Sequence, residues 1–162
     1  MKNIFLLRHG KSSWADIENS DHDRPLAKRG IRDVPVMSRV INSKCAKIDI
    51  ILSSSSKRTC ETLDLCLPNL SNKPKIKILN ELYLAHSETI LKFINENLTE
   101  NKNLLLIGHN PGLNDFVNEI NISVPFSFPT SALCHLITNK SDKLKLEFRD
   151  FNIDSLTRPK DI

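Results

Sequence analysis

Two apolar patterns alternate along this chain. Short, nearly unbroken apolar runs occur at "NIFLL" (3–7), "IDIIL" (48–52) and "LLLIG" (104–108). Runs of this length without strict alternation fit strands buried on both faces of a parallel sheet. Between them, apolar residues recur at helical spacing: Ile31, Val34, Met37 and Ile41; Cys60, Leu63 and Leu67; Ile90, Leu91, Ile94 and Leu98; Leu113, Phe116, Val117 and Ile120. That spacing predicts amphipathic helices packed on the sheet. "KIKIL" (75–79) alternates instead, which predicts a strand nearer the sheet edge.

The punctuation supports this order. The serines of "SSSS" (53–56) end the second strand, and Pro35 predicts a kink or break in the first helix. Ser87 predicts an N-cap, and Asn110 followed by Pro111 predicts a cap and a first helical residue. The last quarter changes character. "ALCHLI" (132–137), a turn at "NKSD" (139–142) and "LKLEFRD" (144–150) predict a hairpin, with Leu144, Leu146 and Phe148 alternating with Lys145, Glu147 and Arg149. Beyond about Asn152 the chain is expected to be an extended, weakly ordered strap. The fold class is therefore α/β, a mostly parallel sheet covered by helices on both faces.

Composition narrows the function more than the fold. A length of 162 residues fits one domain, 1–162, and 40% hydrophobic with 26% charged residues excludes a disordered chain. A formal net charge of +4 suits an anionic ligand, but no basic block or aromatic interleaving points to nucleic acid. No apolar run approaches the roughly 20 residues of a membrane span, and the first residues lack a secretory pattern. Cys45, Cys60, Cys66 and Cys134 show no C-x-x-C spacing and read as thiols in a reducing cytoplasm, with a zinc site the remote alternative. The chain carries no Walker loop and no H-E-x-x-H, so neither a metal nor a cofactor is expected.

Ligands of such sheets bind beyond the carboxyl ends of the strands. Three loops fall there: Arg8 to Trp14, Ser53 to Arg58, and His109 to Pro111. Arg8 and Arg58 supply planar, permanently charged forks that match a phosphoryl group. His9 and His109 supply imidazoles, and the amides of the helix after "SSSS" add to an anion site. Each group alone has an ordinary structural reading: a strand-tip pair, a helix start, a surface cation. Together at one sheet edge they suit phosphoryl transfer through a histidine, one imidazole attacking and the other sharing the developing charge with the arginines.

"LLRHGKSSW", "DHDRPLAKRG", "ILSSSSKRTCET", "IGHNPG" and "PTSAL" occur in that order, from residue 6 to residue 133. The set resembles the histidine phosphatase superfamily, and its short "DHDRPL" form most resembles the SixA-type phosphohistidine phosphatase branch. The resemblance implies a three-layer α/β/α sandwich of phosphoglycerate mutase-like fold. It implies that His9 is the phosphorylated nucleophile, that Arg8 and Arg58 bind the phosphoryl group, and that His109 completes the pocket. Gly10 would let the backbone turn beside the phosphate; Lys11, Ser12 and Ser13 would border the entrance; Arg24 would lie with Asp21, His22 and Asp23 on the rim. Trp14 is expected to pack that loop onto the domain rather than wall the pocket, and His22 to be solvated or to cap a helix.

Glu81 is the nearest carboxylate, by order along the chain, for the proton donor that many relatives use; its structural alternative is a strand-end carboxylate paired with a lysine. An imidazole is a reasonable leaving group and needs a positioned acid less than an alkoxide does. A metal-independent phosphatase acting on phosphohistidine in proteins, through a shallow open pocket, is the leading expectation. A phosphomonoesterase for small sugar or nucleotide phosphates and a non-catalytic phosphate- or phosphoprotein-binding module are the alternatives. Nothing demands a dimer.

Overall fold

The computed structural model describes residues 1–99, 101–121, 126–140 and 145–162. Its first strand, β1 (Lys2–Arg8), shows why the apolar runs do not alternate. Ile4 and Leu6 enter one core, and Phe5 and Leu7 enter another on the opposite face of the sheet. The centre of the strand has no solvent side, so Ile4 to Leu7 must all be apolar.

The other strands are β2 (Ile50–Ser54), β3 (Lys75–Leu79), β4 (Asn103–Gly108), β5 (Leu133–Thr138) and β6 (Asn152–Thr157), in the order β3-β2-β4-β1-β5-β6. The first four in that order run parallel, and β5 and β6 are each antiparallel to the preceding neighbour. Helices α1 (Lys28–Lys44) and α2 (Lys57–Cys66) cover one face, burying Val34, Met37, Ile41 and Leu63 against Phe5, Leu7 and Ile107. Helices α3 (Ser87–Leu98) and α4 (Gly112–Ile120) cover the other, burying Ile90, Ile94, Leu113 and Phe116 against Ile4, Leu6 and Leu106. Each such side chain removed from water contributes about 1.5–3 kcal/mol. This is a three-layer sandwich.

Several local expectations are corrected. Helix α1 runs through Pro35 without a break. One missing N–H costs less than abandoning the buried stripe on either side of it. Ile31 is 52% exposed and takes no part in that stripe, which begins at Gly30. β2 does end within the serine run, but two residues later than expected, at Ser54, so Ser53 and Ser54 are part of the strand. β3 is indeed an edge strand, but its Ile76 and Ile78 stay 44% and 54% exposed, so the alternation does not mark a buried face. Helix α3 is capped by His86, with Ser87 as its first residue, and Pro111 rather than Asn110 is the cap of α4.

The largest correction concerns the C-terminal quarter. Ser141 and Asp142 of the expected turn, and Leu144, lie outside the described residues. The stretch Phe148–Asp150 is a single 3-10 turn, closed by Glu147 and Asp150 hydrogen-bonding each other's backbone. The partner of β5 is instead β6, the segment read as a loose strap, with Leu133 opposite Thr157 and Ile137 opposite Asn152. Phe148 turns in to pack edge-on against Phe116, with ring centroids 5.0 Å apart. Its alternation with charged neighbours therefore reflects an anchored turn, not a strand.

Candidate active site

The β1–β4 register builds the centre of the site. Arg8 lies opposite Gly108, so the next residues, His9 and His109, leave adjacent strands at the same level. The His9 amide donates to the Gly108 carbonyl at 3.1 Å, and the two imidazole centroids are 5.2 Å apart. The β2–β4 register pairs Ser53 with Ile107, which sets Ser54 beside His109. Helix α2 begins just beyond, with Ser56 accepting the Thr59 amide as a cap. Arg58, in the first turn, points back to the same edge.

Tautomers follow from the partners. His9 Nδ1 faces the Gly10 carbonyl at 2.7 Å and must carry its proton. His9 Nε2 is left with a lone pair, which meets Arg58 Nε–H at 3.3 Å. Arg58 also approaches His109 Nδ1 at 3.4 Å, so that nitrogen accepts and His109 Nε2–H donates to Ser54 Oγ at 2.7 Å. Burial is the main force lowering both imidazole pKa values to about 3. Arg58 and Arg8 push the same way, and for His9 the Gly10 carbonyl pushes back. Both rings are therefore neutral near pH 7.

Among the described residues, cations outnumber the single carboxylate here. Arg58 donates to the Asp21 carbonyl at 2.6 Å and to Asp21 Oδ2 at 3.1 Å, while Arg24 donates to Asp21 Oδ1 at 2.9 Å and to Ser12 Oγ at 2.6 Å. The Tyr83 hydroxyl donates to Asp21 as well, and this bond first, then the two guanidiniums, holds the Asp21 carboxyl far below the ordinary carboxylate range. Arg8 donates to the Phe128 carbonyl at 3.0 Å, and its buried Nε has no partner. Arg8, Arg24, Arg58 and Lys11 thus surround a space with one compensating anion at its edge, a field that favours an oxyanion.

That space is a cavity of about 390 Å³. It is lined by Arg8, His9, Lys11, Ser12, Arg24, Arg58 and His109 among the residues that the sequence singled out. Ser13 and Glu81 do not line it: Ser13 Oγ accepts the Ala15 amide, and Glu81 is exposed on a 3-10 turn after β3. Gly10 does not line it either, and among the described residues no glycine has positive φ. A Cβ at Gly10 would come within 2.9 Å of Val34 Cγ2 and 3.1 Å of Gly30 Cα, so glycine here lets α1 approach the loop rather than turning the chain. The Gly10 amide is held by Thr62 Oγ1 at 3.0 Å.

Trp14 is 69% exposed and lines the mouth, with the Arg24 guanidinium 3.6 Å above its ring; it walls the pocket rather than packing the loop down. The loop is pinned instead by Ala27 N–H on the Lys11 carbonyl at 2.7 Å, Ser13 N–H on the Pro25 carbonyl at 2.8 Å and Leu26 N–H on the Glu61 carboxylate at 2.7 Å. His22 meets Ser55 Oγ at 3.0 Å and packs edge-on to Tyr83. The sequence reading missed Tyr83, which binds Asp21 at the rim, and Leu84, which lines the cavity. The one signal for Tyr83 was being the sole tyrosine, two residues after Glu81.

A family model described as histidine phosphatase superfamily, branch 1, matches residues 4–102. An uncharacterised chloroplastic protein of Arabidopsis thaliana is 44% identical over 62 residues, 38% of this chain and 28% of that protein. An uncharacterised protein of Mycobacterium tuberculosis is 31% identical over 105 residues, 65% of this chain and 63% of that one. The chain thus spans less than two thirds of either relative. A crystal structure from Agrobacterium tumefaciens, provisionally named a SixA phosphohistidine phosphatase, superposes with a TM-score of 0.82 at 27% identity and covers 98% of both chains. The described sandwich is the phosphoglycerate mutase-like one that the motifs implied.

Proposed function

The chain belongs to the histidine phosphatase superfamily, in its SixA type, and from that premise we propose that it is a phosphatase that hydrolyses phosphohistidine in proteins through a phosphorylated His9. One observation carries the substrate choice. Among the described residues Asp21 is the only carboxylate lining the cavity, and Tyr83, Arg24 and Arg58 keep it ionised. Such a pocket offers no protonated acid to an alkoxide. It suits a leaving group that departs without one.

In this reading the phosphoryl group enters between Arg8, Arg58 and His109, displacing the long Arg58 contact from His9 Nε2. The Nε2 lone pair attacks phosphorus while the substrate's P–N bond breaks. The leaving imidazole takes that electron pair and departs neutral when its other nitrogen is protonated. Gly10 holds the Nδ1 proton, so phospho-His9 is an imidazolium whose charge the carbonyl stabilises. Water then attacks phosphorus, the Nε2–P bond breaks, and neutral His9 and dihydrogen phosphate result. The guanidiniums stabilise the equatorial oxygens in both steps.

The test compares turnover of a phosphohistidine peptide and of sugar phosphates, with mass-spectrometric detection of an acid-labile phosphate on His9. Preference for the peptide is expected. Faster turnover of sugar phosphates, or no phosphate on His9, overturns the reading.

A further inference from the structure

A second concavity among the described residues is larger than the catalytic cavity. It is a groove of about 750 Å³ beside the catalytic one, and Thr130 lines both. Its walls carry Arg29 and Arg32, one turn apart on α1, and Arg158 and Lys160 from the segment after β6. Two carboxylates offset part of this charge. Asp33 pairs with Arg32 at 2.7 Å, and Asp161 pairs with Arg158 at 3.0 Å. Arg29 makes a 3.3 Å hydrogen bond to Thr130 Oγ1, which ties the groove to the cavity mouth. Arg29, Arg32 and Lys160 are exposed, and such long side chains stay solvated unless an anionic partner covers them.

We propose that this groove docks an acidic polypeptide segment flanking the phosphohistidine of the protein substrate, an inference that rests on the phosphatase reading above. Three features support it. The groove is continuous with the catalytic mouth at Thr130. Its charge is opposite to that of an acidic segment and of the same sign as the catalytic cavity. Its cations Arg29, Arg32, Arg158 and Lys160 all lie outside the catalytic cavity, so a substrate ending at the phosphorylated residue would not reach them. A surface of this kind raises capture of the substrate more than the chemical step.

The test uses the triple variant Arg29→Glu, Arg32→Glu, Lys160→Glu, none of which lines the catalytic cavity. Fluorescence anisotropy compares a labelled glutamate-rich peptide with its glutamine counterpart. The native protein should bind the acidic peptide more tightly, more so at low salt, and the variant should lose about tenfold of that preference. Equal binding of the two peptides by the native protein overturns the proposal, as does a preference that survives the charge reversals. Turnover of free phosphohistidine, too short to enter the groove, is measured alongside. Unchanged turnover in a variant that has lost peptide preference supports docking; an equal loss of both, or a lowered melting temperature, assigns the residues a structural role and overturns it. No turnover by the native protein, with peptide preference intact, sinks the phosphatase reading and leaves the groove standing.

Discussion

His9 and His135 are both buried on the same sheet, in opposite electrical surroundings. His135, in mid-β5, stacks on Phe5 with centroids 4.3 Å apart, and each of its nitrogens meets an oxygen: Asp154 at 2.8 Å and Asn3 at 3.0 Å. Burial lowers its pKa and the Asp154 carboxylate pulls it back up. His9, one residue past the end of β1, has guanidiniums where His135 has a carboxylate, and its Nε2 faces a cavity. Burial alone thus does not distinguish a reactive imidazole from a structural one. The sign of the neighbouring charge, and whether one nitrogen opens onto space, does.

The widest separation between the two is expected in turnover. His9→Ala should lower kcat/KM at least about 10⁴-fold, as removal of a nucleophile does. His135→Asn should leave it within about threefold, measured on the same phosphohistidine peptide. Arg58→Lys comes next. It keeps the charge but loses the fork that spans His9, His109 and Asp21, and a fall of about 10²–10³ in kcat is expected with little change in melting temperature. A fall under tenfold would mean that charge without geometry suffices.

Stability should rank the two histidines the other way. His135→Ala removes a stacked ring and two hydrogen bonds and should cost about 2–3 kcal/mol in denaturant unfolding. His9→Ala removes an imidazole desolvated among cations and should cost less or stabilise.

Acid sharpens the contrast. His9 and His109 titrate near 6.5 when exposed and at about 3 in the fold. Below about pH 6.5 the unfolded chain therefore binds protons that the native state does not. Their contribution is full above that value and lost progressively toward pH 3. Between neutrality and about pH 5 each should cost about 1–2 kcal/mol, and a His9→Gln, His109→Gln variant should show a flatter decline. The smallest effect belongs to Glu81→Gln, exposed and outside the cavity, which should leave kcat within about twofold; a large loss would restore it as the proton donor.

Legibility in the sequence followed the range of the interactions involved. The buried strands, their intervening helices, and Arg8, His9, Arg58 and His109 at strand and helix ends could be read from local pattern, because the middle of a strand covered on both faces must be apolar and polar residues gather toward its ends. The C-terminal hairpin was misread because period-2 alternation over residues 144–150 competed with pairing offered from further along. The better partner for β5 was the segment 152–157, and Phe148 found a place against Phe116. Trp14 and Tyr83 were misjudged or missed for the same reason. Their roles depend on Arg24 and Asp21, which folding delivers to the same mouth.

The sequence by itself determined the layers of this protein and which residues stand at the polar edge of its sheet, since hydrophobic period and turn chemistry act within a few residues. Only the tertiary structure decided that Asp21 joins three partners, that Glu81 stays outside, and that Arg29 and Lys160, 131 positions apart, wall one groove. Those outcomes depend on register and on how helices settle against the sheet, energies shared among segments far apart in the chain.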